Sequence, residues 1–177
     1  MFTENGIVEN ASIIILTLCL LRCAQYAVQS RVKQGTYFWL ASVLVFFTVM
    51  RRELSYLSDT LVPSDFIFLS QSYDWWEDSV LLGIYVIAIS LLIYSWRYFW
   101  AVLKNTALSL YIGVAVLALI QYMGENAIVF PETLGGMVEE ISEDIIYSIA
   151  LIYLWVFNLA YFEAQLTYKL GVELKAE

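Results

Sequence analysis

Five apolar runs dominate this chain, each close to the roughly 20 residues that an α-helix needs to cross a bilayer. They cover residues 7–28, 37–55, 79–100, 106–124 and 141–162. None shows the apolar–polar alternation of barrel strands, and each is about twice the length of such a strand. The second is the weakest, because its uncharged core, YFWLASVLVFFTVM, ends at Arg51-Arg52-Glu53 after a short stretch. The composition agrees: 61% of the 177 residues are apolar or aromatic and 15% are charged. A soluble domain of this size has too high a surface-to-volume ratio to hide that much apolar surface. The expected fold is an all-α integral membrane bundle of five transmembrane helices, residues 1–177 forming a single polytopic domain.

Histidine is absent. A Ser-His-Asp triad, an HExxH zinc site and histidine-ligated haem are therefore excluded. The two cysteines, Cys19 and Cys23, lie one helical turn apart, a spacing that suits packing better than a disulfide. No phosphate-binding loop and no dinucleotide fingerprint is present. The chain is acidic, with a net charge of −8, and carries no basic stripe for nucleic acid. No nucleophile–base pair is adjacent in sequence, so the expectation leans away from an enzyme, with no cofactor.

The N-terminal MFTENGIVEN carries Glu4 and Glu9 but no basic residue before the first apolar run. That argues for a retained span rather than a cleaved signal. With the N-terminus outside and the C-terminus inside, seven of the nine basic residues fall on the inner side, and only Arg51 and Arg52 fall outside. Fourteen of the seventeen acids lie outside. This is the positive-inside pattern. Tyr37, Trp39, Trp96, Tyr98 and Trp100 near inner ends, with Trp75 and Trp76 near an outer end, read as interfacial belts. The short loops suggest a bacterial or archaeal inner membrane.

Counting 1.5 Å per residue from the inner ends places charge from four helices in one outer layer. Its members are Arg51, Arg52, Glu53, Glu77, Asp78, Glu125, Glu139, Glu140, Glu143 and Asp144. Arginine at such a depth favours a carboxylate partner. In the motif EEISED, Glu139 faces with Glu143 and Glu140 with Asp144. Four carboxylates in so short a stretch repel one another and require cations.

Three accounts follow. The layer handles a cation, a proton or a polar solute, which makes the chain a channel, transporter or sensor subunit. It holds a hard divalent ion through oxygen ligands, although no calcium-loop motif is present. Or it is structural, with the acids favoured by the helix dipole at the start of the fifth span and the arginines acting as a clamp. On the structural account the chain is a non-catalytic accessory or self-assembling protein. Ser109 and Gly113 then form a small-xxx-small packing face. The expected partners are the lipid bilayer and either further copies of the chain or a larger membrane protein. A bundle this small needs oligomers to enclose a wide pathway.

Overall fold

The computed structural model describes residues 5–54, 67–68, 71–126, 128 and 131–170. Among these residues the chain is helical: α1 Asn5–Gln29, α2 Lys33–Glu53, α3 Tyr73–Tyr94, α4 Trp96–Asn105, α5 Leu108–Glu125, α6 Glu132–Val156 and α7 Leu159–Leu170. A single antiparallel pair, β1 Ile67–Phe68 with β2 Gln71–Ser72, precedes α3. The sequence over residues 55–75 sets turn formers (Pro63, Ser64, Asp65) before an apolar patch, Phe66–Leu69, a pattern that suggests a short interfacial fold-back, which otherwise lies outside the described residues.

Two helices, over Ala11–Gln29 and Leu108–Glu125, are long and apolar enough to cross a membrane on their own. Up to four crossings result if each of two bent helix pairs counts as one span. The second expected span is helical, yet it does not reach that standard. Gln34, Gly35, Thr36, Tyr37, Trp39 and Ser42 dilute the apolar run between Lys33 and Arg51. The third and fifth expected spans each break. The third turns by 79° between α3 and α4. At the break, the Ser95 hydroxyl donates back to the Leu91 carbonyl at 2.7 Å, as serines inside the unbroken helices also do. The fifth breaks between α6 and α7, where Asn158 starts a new helix. Its Oδ1 accepts the Tyr161 N–H at 3.1 Å, as an N-cap does.

In α1 the buried positions Ser12, Leu16, Cys19, Cys23, Tyr26 and Ala27 follow helical spacing, and Ile14, Leu18, Leu21 and Val28 form the exposed stripe opposite. Both thiols are free and fully buried, so the cysteines pack as their spacing suggests.

The chain divides into two compact units, residues 1–19 with 102–157 and residues 20–101 with 158–177. In the first, α5 and α6 form an antiparallel hairpin. Its closest approach is between Gly124 and Gly135: a Cβ on Gly135 would stand 2.5 Å from the Gly124 carbonyl oxygen, and one on Gly124 would stand 2.7 Å from that of Gly135. Only glycine allows the backbones to meet there. At the other end, the Thr106 and Tyr153 hydroxyls share a hydrogen bond of 2.8 Å.

The second unit is built on α2 packed against α3, with an aromatic core. Trp39 stacks at a tilt on Tyr26, 4.7 Å between centroids, and donates its indole N–H to the Tyr98 hydroxyl at 3.3 Å. Tyr98 also meets Phe162 edge-on at 5.4 Å. Trp39 and Tyr98 are therefore core residues, only 2% and 0% exposed. The interfacial belt expected of them is not what these two side chains form. Trp96, Trp100, Trp75 and Trp76 are exposed, and Trp96 stacks on Trp100.

Candidate functional site

Helix α6 starts at Glu132, behind Pro131, nine positions before residue 141. Proline suits that place because it has no N–H to leave unpaired. The earlier start changes the meaning of EEISED. Glu139, Glu140, Glu143 and Asp144 lie in the second to fourth turns, beyond the first turn where the helix dipole favours acids. Dipole capping therefore does not account for them.

Within this unit, two of the acids meet neutral donors from other helices. Asp144 Oδ1 accepts the Ser12 hydroxyl of α1 at 2.5 Å. Glu143 Oε1 accepts the Gln121 amide of α5 at 2.5 Å. Gln121 lies one turn below Gly124, so the glycine contact that draws the two backbones together also brings the amide within reach of Glu143. Glu139 packs its Cβ beside Gly124, and Glu125 is exposed at the end of α5. The serine hydroxyl orients Asp144 without neutralising it. Among the described residues, Ser12 is the sole hydrogen-bond or ion-pair partner of Asp144.

Arg51, Arg52, Glu53 and Asp78 belong to the second unit. Arg52 pairs with its neighbour Glu53 at 3.1 Å, while Arg51 is half-buried and Asp78 exposed. Both arginines stand in the last turn of α2, where the helix dipole favours cations. The side chain of Glu77 lies outside the described residues. Ser109 is exposed, and a Cβ on Gly113 would meet nothing within 4 Å. Among the described residues, the glycine–glycine approach within the chain is that of Gly124 and Gly135. Among the described residues, no group of three or more acids or cysteines stands close enough to hold a metal ion.

A second polar site, not anticipated from the sequence, lies in the second unit. Glu163 of α7 is only 7% exposed. Its Oε1 accepts the Ser30 hydroxyl at 2.5 Å and the Tyr98 hydroxyl at 3.4 Å, and its Oε2 accepts the Arg31 backbone N–H at 3.1 Å. Gly35 makes room for this cluster, since a Cβ there would stand 2.9 Å from both Glu163 Oε1 and the Tyr98 ring. The available signal was an acid set between aromatic and small residues in LAYFEAQL. Its position at the end of an apolar run made it look like a solvated flank.

No family model, curated protein or solved structure matches the chain.

Proposed function

We propose that the chain is a multi-pass integral membrane protein that handles a cation or proton at Glu143 and Asp144 of the α5–α6 hairpin. The observation that carries this is the setting of Asp144, a carboxylate in the body of a largely apolar helix whose sole partner among the described residues is a serine hydroxyl. An acid in such a place is costly to retain and marks an ion or proton path more often than a fold requirement. Its neighbour Glu143, on the Gln121 amide, doubles the acceptor capacity.

The topology that suits this function has five crossings, α1, α2, α3, α5 and α6, with the N-terminus outside. Helices α4 and α7 follow the two breaks and lie at the inner face. Counting about 20 residues back from Val156 puts the outer edge of the hydrocarbon near residue 137. Glu143 and Asp144 then sit about 10 Å below it. The positive-inside pattern supports this orientation, and the short connections between most of the spans suit a bacterial or archaeal inner membrane.

The experiment is ion and proton flux into liposomes carrying the purified chain, compared with the Glu143→Gln/Asp144→Asn double variant. Flux in the wild type that vanishes in a folded, inserted variant is the expected result. Equal flux in both removes the carboxylates from the pathway. No flux in either favours the accessory role, with the chain acting through copies of itself or a larger partner.

A further inference from the structure

The second unit contains a cavity of about 830 Å³ that the proposed ion path does not use. That volume lies within the range of small-molecule sites, about 300–1,000 Å³. Arg31, Val32, Leu159, Ala160, Glu163 and Thr167 are among the residues that line it. The two charged members differ in their surroundings. Glu163 is buried, whereas Arg31 is exposed. The Arg31 guanidinium has no hydrogen-bond or ion-pair partner among the described residues; only its backbone N–H is engaged.

Burying a carboxylate is costly unless its lone pairs are satisfied. An ionised carboxylate offers about four acceptor positions. Among the described residues three of them are filled, two on Oε1 and one on Oε2. The remaining acceptor position is on Oε2, the oxygen not engaged by the Ser30 and Tyr98 hydroxyls. A cavity with a buried anion, an available acceptor and an exposed guanidinium complements a dipolar guest. A primary ammonium would donate to Glu163, and an adjoining anionic group would pair with Arg31. The apolar lining of Val32, Leu159 and Ala160 suits the hydrocarbon that follows such a group.

We infer that this cavity binds the headgroup of an aminophospholipid, with the ammonium on Glu163 and the phosphodiester on Arg31. Phosphatidylethanolamine has that chemistry. In the proposed orientation the cavity opens at the inner leaflet, where α7 and the segment joining α1 to α2 lie. A phosphate alone would leave Glu163 opposing it, and a quaternary amine could not donate the hydrogen bond that Oε2 is placed to accept.

The test is thermal unfolding of the full chain in detergent, titrated separately with phosphatidylethanolamine, phosphatidylglycerol and phosphatidylcholine. Phosphatidylethanolamine is expected to stabilise the chain at the lowest concentration. Arg31→Ala, at an exposed side chain, should weaken that effect at least about tenfold. Glu163→Gln should remove the preference over phosphatidylcholine. Should Glu163→Gln fail to fold, Arg31→Ala carries the test alone. Equal stabilisation of the wild type by all three lipids overturns the inference, as does a phosphatidylethanolamine response that Arg31→Ala leaves intact. Stronger binding of phosphatidylglycerol overturns it too, by showing an anion site only. Flux is not read in this experiment, so its outcome is separate from that of the α5–α6 carboxylates.

Discussion

Ser12 and Asp144 stand 132 positions apart in sequence and share a hydrogen bond of 2.5 Å. That bond ties the first helix to the α5–α6 hairpin within one compact unit. It also fixes the rotamer of the carboxylate on which the proposed function depends. Ser12→Ala should lower stability by about 1.5–3 kcal/mol, as expected for a lost bond to a charged group. The same change made on top of Asp144→Asn should cost distinctly less. Chemical unfolding of the four proteins in the double-mutant cycle measures the difference; equal costs in both backgrounds would show that the two residues act independently.

The glycine contact between α5 and α6 yields a contrast between glycines of similar sequence setting. Gly124→Ala or Gly135→Ala sets a methyl against a carbonyl oxygen and should destabilise the hairpin by about 1–3 kcal/mol. Gly113→Ala meets open space. It should be neutral or slightly stabilising in the isolated chain, through helix propensity. Thermal unfolding ranks the three. If Gly113→Ala instead changes the mass of the detergent-solubilised particle by light scattering, that glycine belongs to a contact between copies.

Gly35→Ala should damage the Glu163 cluster, because the added methyl would crowd Ser30, Glu163 and Tyr98 together. The expected cost is about 1–3 kcal/mol. It should be accompanied by a changed fluorescence of Trp39, whose indole donates to Tyr98. A methyl accepted with no change in stability or emission would mean that the cluster is looser than its distances indicate.

Cys19 and Cys23 are fully buried. In the folded chain both should resist a maleimide and react only after denaturation. A chain with Lys104→Cys then carries one reactive thiol, and in the proposed orientation an impermeant reagent should label it from the inner side alone. Labelling from outside would invert the topology.

Helix positions were largely readable from apolar run length, since lipid-length helices need little beyond composition to be recognised. The breaks were harder. Ser95 and Asn158 are single polar residues at the two breaks inside apolar runs, and hydropathy does not register that the chain turns there. The start of α6 was missed for a related reason. Glu132, Thr133 and the Gly135-Gly136 pair look like loop, yet Pro131 begins a helix there and the α5 backbone packs on Gly135. The four acids of EEISED were visible as a cluster, whereas their donors Ser12 and Gln121 are distant in sequence. Glu163 was hidden most completely, because its partners come from two distant parts of the chain, the adjacent Ser30 and Arg31 and, separately, Tyr98.

The turn at Ser95 has one more consequence. Helix α3 has 22 residues, so it is about 33 Å long. Because the next helix departs at 79°, nothing beyond Tyr94 adds to that length. Exposed Trp96 and Trp100, with Arg97 on the same short helix, would ride at the headgroup level like a float. In the proposed topology, bilayer thickness would act on this span through α3 and not through α4: a thicker membrane would pull against the aromatic anchor and strain the bend, and a thinner one would tilt the helix above it.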